Sequence, residues 1–479
     1  MSIPDPAPPT RRADRASQGA RTVRGTRVDL RGFAAVLVLP VLVVGAALGV
    51  RSSADPLPAR APRTTPLALG TLVCPPGDGA VRVTSTATVP GTVAVADART
   101  GEDDATPVEV RPGVVSTTRT GSGPVVVIGR DAAAPGLVAA RVERPLAAAE
   151  CRPPEVDVWF TGVGAGAKHR STLQLTNPDE GRAVVDVTVF GRTGVVEATG
   201  LRGIAVPGGA SRALDLATLL PRRDDLALHV VTSRGRISAS VSDSYTEIGR
   251  GAAGIDAVPV QPAPARTLTL LGLPDGTGQR SLVIGNPGDA QTTVEVRLVT
   301  ASSTFVPAGI EPVDVAPGSV VRVQIAPLLQ QAARDAGGRG ERLLGLELRA
   351  GAPITADLLM FVAGDLAHAG VAVPLERTAL TPLPPGRRTL VLAGAPREGA
   401  VVVRTWDEAG QPLEPIRVDV APGRAERVVL PEAARLLAVA PQGSEVRAAV
   451  LAEDDGATVL RPLQPILTGV VPDVVGGLP

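Results

Sequence analysis

The chain has 479 residues, which is too long for one ordinary hydrophobic core and favours three or four domains. Aromatic residues make up only 2% of it, while 53 Gly and 46 Pro accompany many Val, Ala and Leu residues, a composition that favours short strands and turns over long helices. The formal net charge is zero, so no global basic field would steer the protein onto nucleic acid, and nucleic-acid binding is not expected.

The N-terminal residues 1–31 are rich in Pro, Arg, Ala and Ser and are predicted to be a disordered basic tail. Residues 32–50 contain no charged side chain and would rise about 28 Å as a helix, enough to cross the hydrocarbon core of a bilayer. Arginine is in excess on the N-terminal side of this stretch, which places that side in the cytoplasm. The sequence therefore predicts a single-pass membrane protein whose C-terminal region is extracytoplasmic.

A cleavable signal peptide is the alternative interpretation of residues 32–50, with Ser52, Ser53 and Ala54 as a small-residue cleavage site. The apolar stretch is longer than a usual signal core, and this favours an uncleaved anchor. In both cases the rest of the chain is exported, and it would be secreted if cleavage occurs. The following residues 51–70 are rich in proline and are predicted to be an extended linker.

Two motifs recur four times in the same order beyond this linker. The first is a Pro-Gly pair predicted to form a type II turn, in which glycine takes positive φ. The second is an apolar-x-Ala-x-apolar pattern, whose alternation predicts a strand buried on one face. The turns are Pro112-Gly113, Pro207-Gly208, Pro317-Gly318 and Pro422-Gly423, and the strands are centred on Ala140, Ala239, Ala356 and Ala448.

This repetition predicts an all-β protein, a tandem array of about four immunoglobulin-like β-sandwich domains after the transmembrane helix. The predicted domains cover residues 71–153, 155–260, 266–375 and 385–468, and a flexible tail covers residues 469–479. The two middle copies share a strand that ends in Asn-Pro, at Asn177-Pro178 and Asn286-Pro287. The residue before proline stays extended and proline cannot continue the ladder, so these pairs are predicted to end strands.

The two cysteines, Cys74 and Cys151, lie at the two ends of the first predicted domain. Because an exported domain meets an oxidising compartment, they are predicted to form a disulfide. Reduced thiols are the alternative if the topology is inverted.

Residues that resemble known chemistry have simpler explanations. Gly162, Gly164 and Gly166 resemble a dinucleotide-binding loop, but a strand pattern follows where a phosphate-binding helix should begin. The histidines His169, His229 and His368 are not spaced like zinc ligands and are interpreted as surface or hydrogen-bonded residues. No catalytic, cofactor-binding or metal-binding residue and no cofactor is assigned.

The segments around residues 159–166, 171–178, 184–191, 200–203 and 233–236 resemble an uncharacterised family of actinobacterial membrane-anchored proteins, known as a domain of unknown function. The resemblance covers most of the exported region and implies a location in the envelope of a Gram-positive, high-GC organism. It supplies no catalytic residues.

An anchor, a linker and repeated domains without a polar cluster favour a non-catalytic scaffold or accessory protein of the cell envelope. Its expected partners are the membrane, through one helix, and envelope proteins or polysaccharide. The alternative is an enzyme of envelope polysaccharide metabolism whose site is not recognisable from local motifs.

Overall fold

The computed structural model describes residues 62–99, 104–246, 253–276, 278–327, 329, 342–362 and 364–471. The predicted tail 1–31, the apolar segment 32–50 and nearly all of the tail 469–479 lie outside these residues. Within the described residues, no helix has the length and apolar character needed to cross a membrane. The protein is all-β with several sheets, as predicted.

The strands fall into four successive segments, numbered here in chain order. The strands of the first segment are β1 (Arg63–Pro66), β2 (Leu69–Cys74), β3 (Ala80–Ser85), β4 (Gly91–Asp97), β5 (Thr106–Val110), β6 (Ser116–Thr118), β7 (Val125–Arg130), β8 (Leu137–Glu143) and β9 (Ala147–Cys151). Its second and later strands form two four-stranded sheets, in the orders β2-β7-β4-β5 and β6-β3-β8-β9. A 3₁₀ turn covers Asp131–Ala133.

The strands of the second segment are β10 (Asp157–Ala165), β11 (His169–Asn177), β12 (Ala183–Gly191), β13 (Gly194–Val196), β14 (Ile204–Val206), β15 (Ala210–Asp215), β16 (Arg223–Arg234), β17 (Ser238–Thr246) and β18 (Ala253–Val258). A 3₁₀ turn covers Thr199–Leu201, and the short helix α1 covers Leu216–Leu219. The Asp215 side chain caps α1 by accepting a hydrogen bond from the Ala217 backbone N–H.

The strands of the third segment are β19 (Ala265–Leu271), β20 (Gly278–Asn286), β21 (Thr292–Thr300), β22 (Thr304–Phe305), β23 (Val313–Val315), β24 (Ser319–Gln324), β25 (Leu343–Val362) and β26 (Asp365–Gly370). The long strand β25 serves both sheets of this segment. Its first half pairs with β19 and β21, and its second half pairs with β20 and β26.

The strands of the fourth segment are β27 (Pro374–Leu375), β28 (Ala379–Pro382), β29 (Arg387–Ala393), β30 (Gly399–Trp406), β31 (Ile416–Val420), β32 (Glu426–Val429), β33 (Leu436–Gln442), β34 (Val446–Glu453), β35 (Ala457–Leu460) and β36 (Thr468–Val471). The last strand, β36, pairs with β1 in a separate two-stranded sheet.

One sheet has the same pairing in every segment, which gives the sequence repeat its structural meaning. The four copies are β6-β3-β8-β9, β15-β11-β17-β18, β24-β20-β25-β26 and β32-β29-β34-β35. The third strand of each copy carries the repeated alanine, and all four alanines are buried. The alternating pattern therefore predicted the same strand of the same sheet four times.

The repeated turns agree with the prediction in three copies. Gly113, Gly318 and Gly423 have φ of 75°, 59° and 75°, as a type II turn requires. In the second copy the positive φ of 63° lies at Gly209, because the turn from Pro207 to Ala210 is shifted by one residue. The assignment of Gly208 to the positive-φ position was wrong, and the second glycine of the Gly208-Gly209 pair permits the shift.

The last strands of the repeated sheets, β9, β18, β26 and β35, meet at the centre of the protein and are called the junction strands. β18 packs against β26, β26 against β35, β35 against β9, and β9 against β18. Apolar side chains continue across the seams between segments, as where Trp159 and Phe190 pack with Val283 and Val320. The four segments are thus arranged around a common centre, an arrangement that the sequence did not predict.

Candidate functional site

Six polar side chains are buried together between the second and third segments and are called the carboxylate–histidine network. They are His169 and Ser171 of β11, Asp243 of β17, Asp256 of β18, Asp357 of β25 and His368 of β26, and none is more than 3% exposed. Buried charges persist only when other charges or hydrogen bonds compensate for their lost hydration. The contacts within the network supply that compensation.

Asp243 lies at the centre of the network. Its Oδ2 is 2.6 Å from His169 Nε2 and 3.0 Å from His368 Nε2, while its Oδ1 accepts a hydrogen bond of 2.5 Å from Ser171 Oγ. Burial alone would raise the pKa of Asp243, but the interactions with His169 and His368 outweigh it and lower the pKa to about 2. Asp243 is therefore a buried carboxylate at neutral pH.

His368 lies between two carboxyl groups, because its Nδ1 is 2.7 Å from Asp357 Oδ2 on the side opposite Asp243. Burial opposes the imidazolium, but the charge of Asp357 and the hydrogen bonds to both carboxyl groups raise the pKa of His368 well above its ordinary value. Burial raises the pKa of Asp357, and His368 offsets only part of that effect. The protonated ring donates one hydrogen bond to the second segment and one within the third.

Asp256 accepts a second hydrogen bond that joins these two segments. Its Oδ2 accepts a hydrogen bond of 3.1 Å from the His368 backbone N–H, and its Oδ1 accepts one of 2.9 Å from the Ala257 N–H. Burial raises the pKa of Asp256 to about 8, against a smaller opposing effect of His368. Asp256 is therefore mostly protonated at neutral pH.

The glycine run that resembled a dinucleotide loop makes room for this network. A Cβ at Gly164 would lie 2.3 Å from the His169 ring, and a Cβ at Gly162 would lie 2.7 Å from Asp357 Oδ2. Both glycines lie within β10, whose pairing with β16 is interrupted by register shifts between Thr161 and Ala165. These glycines thus belong to a strand that packs against the buried polar groups.

Arg461 is the centre of a second polar site, called the four-way junction. Its guanidinium bonds to Glu150 of the first segment, with Nη2 2.8 Å from Oε2 and Nε 3.0 Å from Oε1. Its Nη1 also donates to the carbonyl of Val260, next to the second segment, at 2.8 Å, and to that of Val371, next to the third, at 3.0 Å. One side chain of the fourth segment therefore forms hydrogen bonds to groups of the three other segments.

Smaller contacts surround Arg461 at the junction strands. Thr458 Oγ1 accepts a hydrogen bond of 3.2 Å from the Ala148 N–H and lies 3.5 Å from Asp256 Oδ1. Asp365 Oδ2 accepts one of 2.8 Å from the Ala457 N–H. These contacts connect the four-way junction to the carboxylate–histidine network.

A cleft of about 280 Å³ lies beside Asp256, between the first and second segments. Its wall combines Ala147, Ala148 and Ala149 with the side chains of Arg141 and Glu143. Arg141 is already engaged, because it donates hydrogen bonds to the carbonyls of Pro75, Gly123 and Gly121 and to Thr120 Oγ1. The cleft thus offers few uncommitted polar groups.

The geometry of the network is that of a structural ion-pair cluster. Ser171 donates to Asp243 and not to a histidine, so the network does not contain the Ser–His pair of a catalytic triad. Asp243 and His368 have no solvent-exposed side-chain surface. Among the residues that the structure describes, no group of three or more His, Cys, Asp or Glu side chains is arranged to hold a metal ion.

The predicted disulfide is present, with the two sulfur atoms of Cys74 and Cys151 2.04 Å apart.

His229 lies apart from the network. It stacks on Trp159, with ring centroids 3.9 Å apart, and its Nε2 is 3.0 Å from Asp157 Oδ1. His169 and His368 belong to different segments but both contact Asp243. Their distance in sequence gave no indication that they share one network. The glycine run was an indication in the sequence, because residues without side chains leave room for bulky side chains of neighbouring strands.

A family model described as "Family of unknown function (DUF5719)" matches residues 114–431. The chain belongs to this family. The DUF5719 match includes every member of the carboxylate–histidine network and Cys151. Cys74 and Arg461 lie outside the matched residues. No curated protein matches the chain.

Proposed function

We propose that the chain is a non-catalytic scaffold or accessory protein of the cell envelope that binds envelope proteins or polymer. The observation that carries this proposal is the four-way junction, because Arg461 bonds to groups of the three other segments at once. Buried charged hydrogen bonds of this kind hold elements in one arrangement. Four segments fixed around one centre present their outer faces at constant spacing, as a scaffold must.

The location of this scaffold is part of the proposal. Residues 32–50 anchor it as an uncleaved helix with the N-terminus in the cytoplasm, and immunoglobulin-like domains with the predicted boundaries follow in the exported part. The disulfide between Cys74 and Cys151 supports export, since disulfides persist mainly in oxidising compartments. The envelope of an actinobacterium, which the sequence resemblance implies, is likewise part of the proposal.

The location can be tested with fusions. Alkaline phosphatase fused after residue 70 should be active outside the cell, and the protein should stay in membranes after a carbonate wash. Release of a soluble product with its N-terminus near residue 55 would support the signal-peptide alternative and contradict the anchor.

The scaffold role can be tested by site-specific crosslinking in native membranes. Photoreactive residues at Phe305 and Val429 place probes on exposed positions of the third and fourth segments. Both should crosslink to the same envelope protein or polymer, and Arg461→Met should weaken this pairing because the two faces lose their fixed spacing. Crosslinks that are unaffected by Arg461→Met, or no reproducible product from either position, would contradict the proposal.

An enzyme of envelope polysaccharide metabolism remains the competing hypothesis. The carboxylate–histidine network is the candidate for its residues, and this network is closed to solvent in this structure. An Asp243→Asn protein that keeps its fold and membrane location but loses an envelope phenotype would favour the enzyme over the scaffold.

A further inference from the structure

Three arginines lie together at the seam between the first and fourth segments. Arg82 is on β3, Arg388 is on β29, and Arg435 directly precedes β33. The backbone links them, since Arg82 Nη1 donates to the Leu383 carbonyl, Arg388 Nη1 donates to the Pro384 carbonyl, and the Leu383 N–H donates to the Arg435 carbonyl at 2.8 Å.

Arg388 and Arg435 donate further hydrogen bonds to backbone carbonyls. Arg388 Nη2 donates to the carbonyls of Pro431 and Glu432, each at 2.8 Å, and Arg435 Nη1 donates to the Glu432 carbonyl at 2.9 Å. A carbonyl accepts a hydrogen bond but carries no net charge that would balance a guanidinium. Three positive charges are thus concentrated at one seam.

Their mutual repulsion is felt in the pKa values. Burial lowers the pKa of Arg82, and the charges of Arg435, Arg388 and Arg144 lower it further. Burial and Arg435 likewise lower the pKa of Arg388, and only Glu432 opposes this. The Nε atoms of Arg82 and Arg388 are both buried and have no hydrogen-bond partner among the described residues.

Two arginines at other seams pair with acidic groups, Arg461 with Glu150 and Arg322 with Asp225. Arg141 and Arg280 are also buried without an ion pair, but each bonds to uncharged groups within its own segment. No such ion pair to Arg82, Arg388 or Arg435 occurs within the described residues. An external anion would stabilise a cluster of arginines that has no ion pair at a seam, because neighbouring like charges destabilise the fold.

We infer that Arg82, Arg388 and Arg435 form a binding site for a phosphate group at the seam between the first and fourth segments. A phosphate dianion suits this cluster better than a carboxylate, because it balances two charges and offers several oxygen atoms to planar guanidinium forks. The group is either free inorganic phosphate or a phosphate ester. This inference does not depend on the proposed scaffold function.

The test uses the full-length protein in detergent, titrated calorimetrically with inorganic phosphate and, separately, with glycerol 3-phosphate at constant ionic strength. Saturable binding of either probe is expected, with a matching rise in melting temperature. Binding of inorganic phosphate alone would identify a free-phosphate site, and binding of glycerol 3-phosphate alone would identify an ester site. Equal heats and melting temperatures in sodium chloride would overturn the inference.

Two substitutions and one control locate the site. Arg435→Gln, at a partly exposed position, and Arg82→Gln should each raise the phosphate Kd at least about tenfold, since each removes a charge-assisted contact. Arg427→Gln removes an exposed arginine of the same segment on β32 and should leave the Kd unchanged. If Arg82→Gln does not fold, Arg435→Gln alone decides. Wild-type affinity in a folded Arg435→Gln protein would contradict the site.

Discussion

Glu150 and Arg461 are separated by 311 residues and form a buried, two-point ion pair, with Nη2–Oε2 at 2.8 Å and Nε–Oε1 at 3.0 Å. Burial alone would raise the pKa of Glu150, but the charge and hydrogen bonds of Arg461 outweigh it and lower the pKa. The pair therefore keeps both charges in the interior and joins the first segment to the fourth.

Replacing Arg461 with Met should lower the free energy of unfolding by about 3 kcal/mol, because the buried Glu150 carboxylate loses the guanidinium. It keeps only the backbone N–H of residue 461 and a 3.5 Å contact with Arg152. Arg387→Met is the matched control, since its pair with Glu453 is at the surface and should contribute about 1 kcal/mol or less. Chemical unfolding of the three proteins measures both changes. Equal, small losses in the two variants would contradict the role given to the junction.

Adding Glu150→Gln to Arg461→Met should restore part of the lost stability, because a buried charge that has lost its guanidinium partner is removed. A double-mutant cycle over these two positions gives their coupling free energy directly. Additive losses would show that the two side chains do not act as a pair.

Replacing Cys74 with Ser should lower the free energy of unfolding by about 4.5 kcal/mol, because the disulfide closes a long loop of the unfolded chain, with a sequence separation of 77. Cys74→Ser/Cys151→Ser should lose a similar amount, which separates the effect of the bond from that of a single free thiol. Peptide mapping under thiol-blocking conditions should find the two cysteines linked. Two free thiols in protein from the cell surface would contradict the bond and weaken the case for export.

Stability should fall as the pH rises from about 5 to 8, in part because of Asp256. The folded protein keeps the Asp256 proton up to about pH 8, whereas the unfolded chain releases it near 3.8. The stability that this proton contributes is therefore complete below pH 3.8 and is lost as the pH rises toward 8. One such proton corresponds to about 1.4 kcal/mol per pH unit.

The free energy of unfolding of Asp256→Asn should therefore decline less steeply with pH than that of the wild type, and the two slopes should differ by the uptake of about one proton. Unfolding curves collected at several pH values measure these slopes. Its slope is the readout, since the amide also changes the hydrogen bonds at this position. His368 and Asp357, whose pKa values are also raised, contribute to the decline in both proteins. Parallel slopes would show that Asp256 does not titrate as described.

Gly164→Ala should destabilise the protein by about 1–3 kcal/mol, because its new Cβ would lie 2.3 Å from the His169 ring and the network would have to shift. Gly181→Ala is the control, since nothing lies within 4 Å of a Cβ there, and it should change stability by about 0.5 kcal/mol or less. Thermal unfolding compares the two. A Gly164→Ala protein as stable as Gly181→Ala would mean that His169 is not held against β10.

Local patterns in the sequence predicted much of the fold, because a strand buried on one face and a Pro-Gly turn leave periodic traces. The repeated Asn-Pro pairs illustrate this well. Asn177 ends β11 and Asn286 ends β20, as predicted, and both amide groups bridge the following turn in the same way. Nδ2 of each donates to a backbone carbonyl four residues later, and Oδ1 accepts from the N–H two residues later.

The polar interior could not be predicted in this way. His169 and His368 lie in different segments, and only the packing of β18 against β26 brings them around Asp243. Arg461 and Glu150 likewise carry no local pattern, since an arginine that pairs with a glutamate in the interior resembles a surface arginine in sequence. Contacts between segments depend on how whole sheets pack, which periodicity within one strand does not encode.

Differential scanning calorimetry of the full-length protein shows whether the junction makes the four segments one structural body. A single transition is predicted, with equal calorimetric and van't Hoff enthalpies, and Arg461→Met should split or broaden it. Several separate transitions in the wild type, unchanged by Arg461→Met, would contradict the claim.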